Sequence, residues 1–213
     1  MRNENGERIA LEKVTEENYK RYIERADLYK KFGYDIEAER KFLLDKSEPF
    51  FGDILEVGTG KGHLAVILAK EGYNFISVDI SEEEQECARL YLKHLGLEEK
   101  VDFRIENAEN LSFADKNFDI VISSHLVHHL SNPFKVIDEF IRILSYEGKI
   151  ILSDFSKEGL EVVDKVHQSE GGKHQVGPLS LKDIEKYLLK KGFSIENFES
   201  KFQEVLIAHH PII

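Results

Sequence analysis

Three glycines two residues apart, Gly58, Gly60 and Gly62, close the apolar run Ile54-Leu55-Glu56-Val57, with Thr59 and Lys61 between them. Gly58 and Gly60 permit positive φ and carry no Cβ to keep a ligand off the backbone, and Gly62 lets a following helix start close to a sheet. Asp79 comes roughly twenty residues later, the place from which a carboxylate can accept both hydroxyls of a ribose. Asn107-Ala108 offers an amide oxygen and a backbone N–H that could pair with an adenine edge, and Ser123-Ser124-His125 and Asp154 follow. A glycine turn, a ribose carboxylate and an adenine reader describe a nucleoside site. His125 and Asp154 are the first candidates for taking a proton or touching a substrate, with His167 and His174 behind them.

The glycine spacing and Glu56 decide which nucleoside cofactor fits. A dinucleotide fingerprint needs a glycine three residues after Gly60, where His63 stands, and a phosphate-binding loop needs Ser or Thr after Lys61, where Gly62 stands. An acid two residues before the first glycine repels a pyrophosphate and suits a cationic ammonium or sulfonium. That combination points to S-adenosylmethionine.

Strands alternating with helices must carry these residues. Periodicity predicts strands over 53–57, 74–79, 101–106, 118–123 and 149–154, each ending where a polar site residue stands. Helices are expected over 62–71, 82–95 with Ser81 and Glu84 as a capping box, and 132–144 with Phe134, Ile137, Phe140, Ile141 and Leu144 inward. Gly148 is expected to end that connection. Such alternation implies a parallel sheet wound on both faces, an α/β fold of three layers. Beyond it, 155–179 break the rhythm, Ser180 and Asp183 cap a last helix to 191, and 193–199 with 203–209 read as two antiparallel strands. Before it, 15–32 and 35–46 read as helices, the first capped by Thr15. Residues 1–48 are then a helical cover and 49–213 the catalytic unit, one structural domain overall. The cover is either a surface layer or a lid with its tyrosines toward the ligand.

This ordered series resembles the class I S-adenosylmethionine-dependent methyltransferases, in the small-molecule subgroup that includes the ubiquinone and menaquinone biosynthesis C-methyltransferases. The residues that carry the resemblance are Leu55-Glu56-Val57-Gly58-Thr59-Gly60-Lys61-Gly62, Val78-Asp79-Ile80-Ser81, Asn107 to Phe113, Phe118 to Ser124 and Leu126-Val127-His128-His129-Leu130. The resemblance implies a Rossmann-like seven-stranded sheet with an antiparallel last strand. It also implies that Glu56 and the backbone of Gly58, Thr59, Gly60 and Gly62 hold the methionine end of the cofactor. Asp79 would take the ribose, Ile80 the adenine face, Asn107 and Ala108 the adenine edge, and the Ser123-Ser124 backbone the amino group. Asn107 stands where many members have Asp, and Tyr146-Glu147-Gly148 replaces the usual Pro-Gly-Gly in what is expected to be a turn remote from chemistry. The implied reaction is in-line displacement at the sulfonium methyl, with S-adenosylhomocysteine as product. Positioning alone can supply on the order of 7–11 kcal/mol there.

Composition narrows the partners. The 213 residues carry 40 acids against 29 bases, a formal charge of −11, which repels phosphate backbones and anionic membranes and favours a small-molecule acceptor. The Asn-Pro-Pro-Tyr type motif of N-methylating nucleic-acid enzymes is absent after the fourth strand, where Ser123-Ser124-His125-Leu126 stands. The single cysteine, Cys87, excludes an intramolecular disulfide and suits a reducing cytoplasm. No membrane-length apolar run occurs. His128-His129 invites a metal reading, but a lone pair without Cys or Asp partners is more often structural, so no metal is expected. A non-catalytic S-adenosylmethionine-binding or assembly module remains the alternative from a different class.

Overall fold

The computed structural model describes residues 4–172, 177 and 179–210, with side chains from Glu12 onward. Two helices, α1 (Glu4–Lys31) and α2 (Ile36–Ser47), precede the alternation β1 (Ile54–Val57), α3 (His63–Lys70), β2 (Phe75–Asp79), α4 (Glu82–His94), β3 (Val101–Ile105), β4 (Phe118–Ser124), α5 (Pro133–Ile143) and β5 (Leu144–Phe155). The chain ends with α6 (Lys157–Ser169), α7 (Leu181–Lys190), β6 (Ser194–Glu199) and β7 (Gln203–His209). The seven strands run in the order β3-β2-β1-β4-β5-β7-β6, and β7 is antiparallel to both of its neighbours. The architecture is the α/β sandwich expected from the sequence, and the order reverses between β1 and β4, where doubly wound sheets bind their ligands.

Strict alternation along the central strands explains why both faces are covered. Leu55, Val57, Val121, Ile150 and Leu152 face one side, where α5 and α7 supply Val136, Ile137, Phe140, Ile184 and Leu188. Ile54, Ile120, Ile122 and Ile151 face the other, against Leu43 and Leu44 of α2, the apolar α3, and Tyr91 and Leu92 of α4. A third cluster sits over the carboxyl ends of the strands, joining Tyr29, Tyr34 and Ile36 to Val162, Val163 and Val166 of α6 and to Phe202. That cluster places the end of α1 and the start of α2 over the strand ends, while Leu43 and Leu44 keep the rest of α2 in the helical layer.

Four sequence expectations are corrected. Helix α1 begins at Glu4, so Thr15 is a buried residue within the helix rather than its cap. Phe134 is exposed, resting on the ring of Tyr187, because the buried stripe of α5 runs through Pro133, Val136, Ile137, Phe140 and Ile143. Tyr146-Glu147-Gly148 is strand rather than turn: Leu144 leaves α5 extended and pairs with Phe118, and Ser145 Oγ donates to Asp119 Oδ1 at 2.8 Å. Gly62 serves helix–helix approach rather than the sheet; with φ +80, a Cβ there would lie 2.8 Å from that of Ala88 in α4.

Candidate active site

The glycine turn is pinned to the end of β2. The N–H groups of Gly58 and Thr59 both donate to Val78 O, at 2.8 and 3.1 Å. Gly60 N donates to Asp79 Oδ2 at 2.7 Å, and Ser81 N to Asp79 Oδ1 at 2.9 Å. Asp79 is thereby aimed across the turn instead of along its own strand. Gly60 has φ +49 and open space where a Cβ would stand. Beneath the turn lies a buried network that sequence reasoning did not single out: Thr59 Oγ1 and Ser77 Oγ are 2.6 Å apart, and Gln85 Nε2 donates to Thr59 Oγ1 and to the carbonyl oxygens of Ser77 and Arg104.

Glu56 is 1% exposed. One oxygen accepts from Ser77 Oγ at 2.5 Å, and Oε1 meets no donor in good geometry among the described residues. Burial pushes its carboxyl from 4.5 up to about 8, against the lowering effect of the Ser77 hydrogen bond, and the nearby Asp79 adds to the rise. An acid in that condition is poised to ionise when a cation arrives.

The tips of β4 and β5 carry the second set of groups. Ser153 Oγ donates to Ser124 Oγ at 2.9 Å, which lies 3.1 Å from His125 Nδ1. His125 adopts φ +56, a conformation that costs a non-glycine residue about 1–3 kcal/mol and that clusters at functional sites. Its N–H donates to Ser153 O at 2.8 Å, its ring stacks on Phe155 with centroids 3.8 Å apart, and its Nε2 is buried without a hydrogen-bond partner among the described residues. Burial, reinforced by the charge of Arg40, holds His125 well below the usual imidazole range, so the ring is neutral. His63, at the start of α3, is lowered to about 3 for the same reasons.

Asp154 corrects the sequence expectation in a specific way. It faces no open space of its own: Oδ2 accepts from His128 N at 3.2 Å, Oδ1 pairs with His128 Nδ1 at 2.5 Å, and Oδ1 also accepts from Phe155 N at 2.8 Å. His128, 4% exposed, is therefore one half of a buried His–Asp dyad. The sequence reading weighed the His128-His129 doublet only as a metal site or a structural pair. The signal that pointed elsewhere was Asp154 at the end of the neighbouring strand, a relation visible only once β4 and β5 are known to pair in register. Among the described residues no cluster of metal-binding side chains occurs.

One cavity of about 560 Å³ connects the two sets. Thr59, Gly60 and Asp79 line one end, and Ser124, His125, His128 and His129 the other. Arg25, Tyr29 and Arg40 from the N-terminal helices, with Val163 and His167 of α6, close it from above. Arg25 pairs with Glu170, which ties α1 to the end of α6. A second cavity of about 410 Å³ runs under α1 past Tyr22, Cys87 and Tyr91, and shares Arg25, Lys61 and His63 with the first. The other expected site residues lie off the main cavity. Gly58, Gly62 and Ser123 form its frame, and Ser123 Oγ donates to Val57 O at 2.7 Å. Ile80 is 71% exposed beyond Asp79. Asn107 Oδ1 accepts from Glu109 N at 2.9 Å, forming a tight turn that leaves the neighbouring Ala108 packed on the α5-side core. His174 lies outside the described residues.

A glycine turn facing a carboxylate at the switch point of a doubly wound sheet is an arrangement in which such folds bind nucleotide-like ligands. Residues 55–152 match the methyltransferase domain family. A Bacillus subtilis protein described as an uncharacterized methyltransferase is 30% identical over 135 residues, 62% of this chain and 53% of that one. The ubiquinone/menaquinone biosynthesis C-methyltransferase UbiE of Rickettsia prowazekii is 28% identical over 171 residues, 72% and 69% of the two chains. A solved structure from Pyrococcus horikoshii, protein PH0226, superposes with a TM-score of 0.65 at 26% identity, over 80% of this chain and 87% of that one. The matched methyltransferase-domain stretch takes up a little under half of the chain. The chain spans about half the length of the first curated relatives it matches. No described helix is long and apolar enough to cross a membrane.

Proposed function

We propose that this chain transfers a methyl group from S-adenosylmethionine to an O–H or N–H group of a small molecule. The observation that carries the reading is the single cavity running from Gly60 and Asp79 to His125 and His128. The residues present suit the cofactor: Gly60 leaves open space, Glu56 keeps a buried oxygen that meets no donor in good geometry among the described residues, and Ile80 presents an exposed apolar face. When bound, the cofactor supplies an activated methyl on a cationic sulfonium. Asp79 would take the ribose hydroxyls, and Asn107 and Ala108 the adenine edge beside Ile80. The Gly58 to Gly62 and Ser123-Ser124 backbones would hold the methionine end, with Glu56 facing its ammonium.

On the acceptor side the dyad does the chemistry. Asp154 holds the proton on His128 Nδ1, which leaves Nε2 as the basic nitrogen. From there His128 takes the proton that an oxygen or nitrogen nucleophile must lose, while neutral His125 orients the acceptor. The roof formed by α1, α2 and α6 acts as a lid that excludes water. A charge of −11 favours a small-molecule acceptor over nucleic acid, and the lone cysteine fits a cytoplasmic setting.

S-adenosylhomocysteine is expected to raise the melting temperature of the parent chain, and Asp79→Ala to abolish the rise. No shift in the parent would overturn the cofactor assignment. A parent that binds S-adenosylhomocysteine yet labels nothing in a metabolite extract given methyl-labelled cofactor would favour a binding or assembly module instead.

A further inference from the structure

Behind the glycine turn a chain of hydrogen bonds runs in one direction. Gln85, on α4, is 3% exposed, and its Nε2 donates to the carbonyl oxygens of Arg104 at 3.0 Å and Ser77 at 3.3 Å. Those two acceptors fix the amide with its NH2 toward them, because an amide oxygen in that place would leave both unpaired. The same Nε2 donates to Thr59 Oγ1 at 3.3 Å, so the Thr59 hydroxyl keeps its own proton for Ser77 Oγ, 2.6 Å away. Ser77 Oγ in turn donates to Glu56 Oε2 at 2.5 Å. All four side chains are buried.

The reverse direction has no terminus. A proton on Glu56 Oε2 would turn the Ser77 hydroxyl toward Thr59 and the Thr59 hydroxyl toward Gln85, whose NH2 cannot accept. A buried donor stranded in that way is costly. Oε2 is therefore kept as an acceptor, and Oε1, which meets no donor in good geometry among the described residues, is the oxygen left to carry a proton or meet a cation. Around the same carboxyl, Asp79 of β2 acts to raise its proton affinity, and Arg40 of α2 and the N–H of Ala65 in α3 act to lower it. Gln85 reaches the carboxyl through the two hydroxyls.

We propose that Gln85 is the positioning residue for the acid of the glycine end: it sets the direction of the Thr59–Ser77 hydrogen bonds, which hold Glu56 by Oε2 and present Oε1 to a cationic group of a bound ligand. That the cation is the ammonium of the cofactor rests on the methyl-transfer reading above; the direction of the chain does not.

Two readouts on the full chain test it. Carbon-13 NMR of glutamate carboxyls follows the titration of Glu56, its signal assigned by its loss in Glu56→Gln. Calorimetry compares S-adenosylhomocysteine with 5′-methylthioadenosine, which lacks the ammonium. Gln85→Met is expected to move the Glu56 midpoint up by about one pH unit and, at pH 7, to weaken S-adenosylhomocysteine about tenfold while 5′-methylthioadenosine changes less than about twofold. An unmoved midpoint overturns the proposal. Equal changes in the two nucleosides, or none, also overturn it, because a merely structural role for Gln85 would not separate them. If Gln85→Met does not fold by circular dichroism, Thr59→Val, which keeps the side-chain shape and breaks the same chain, decides on the midpoint. A parent that binds neither nucleoside sinks the methyl-transfer reading, and the titration alone then decides Gln85.

Discussion

The two ends of the cavity are built by different means. At the glycine end the chain's own backbone does the shaping: Gly58 and Thr59 hang on Val78 O, Gly60 on Asp79, and the whole turn lies within a short stretch of β1, α3 and β2. At the histidine end the shaping is done by side chains brought from distant segments: His128 meets Asp154 across two strands, and Arg40 and Tyr29 descend from helices that precede the sheet. A site made of backbone tolerates little change and is shared by proteins with different substrates. One made of side chains on a roof can be re-specified by substitution. Under the proposed reading the glycine end is the fixed half, and the histidine end is the half that would give the chain a particular chemistry.

Substitutions can break that contrast from either side. The largest effect is expected from Asp154→Asn, which removes the charge that fixes the His128 tautomer while leaving its shape. Methyl transfer should fall on the order of 10²–10⁴-fold, the range typical of general-base catalysis. Affinity for S-adenosylhomocysteine should stay within twofold of the parent. A parallel loss of cofactor affinity would mean that the two ends are not separable.

Next comes Gly62→Val on the backbone-built side. A β-branched residue at φ +80, with its Cβ 2.8 Å from that of Ala88, should destabilise the chain by roughly 2–4 kcal/mol. Urea unfolding measures this, and a change below about 1 kcal/mol would show that α3 and α4 can part without penalty.

The smallest effect is a pH dependence at Glu56. Its folded carboxyl lies near 8 against 4.5 for the ordinary group, so the folded chain holds a proton that the unfolded chain has lost. The associated stability is fully present below 4.5 and is lost as pH rises toward 8. His63, lowered to about 3, acts in the opposite direction, removing stability as pH falls below 6.5. The readout is therefore the difference between the parent and Glu56→Gln. The parent should lose more melting temperature than the variant between pH 5 and about 8, and S-adenosylhomocysteine should reduce that loss. Identical slopes would show that Glu56 is ionised throughout.

The same contrast governs what the sequence could tell. The glycine turn was legible because each requirement is local: glycines where φ is positive, an acid at the end of the next strand, and apolar runs of strand length. The sheet itself was legible from alternation, down to the antiparallel β7. Legibility failed where long-range contact overrode local pattern. Tyr146-Glu147-Gly148 looks like a turn, but pairing of Leu144 with Phe118 draws it into β5. Gly62 looks like a sheet contact until α4 is seen against it. His128 and Asp154 were both visible as residues, yet nothing in the linear order says that one holds the other.

The central claim is that one cavity joins a cofactor seat to a His–Asp base. The most direct test incubates a metabolite extract with methyl-labelled cofactor and either the parent chain or His128→Ala, with S-adenosylhomocysteine affinity measured alongside. The account predicts label in a small-molecule oxygen or nitrogen with the parent, and its loss in His128→Ala at unchanged cofactor affinity. Undiminished labelling by His128→Ala, or a label found on carbon, would contradict it.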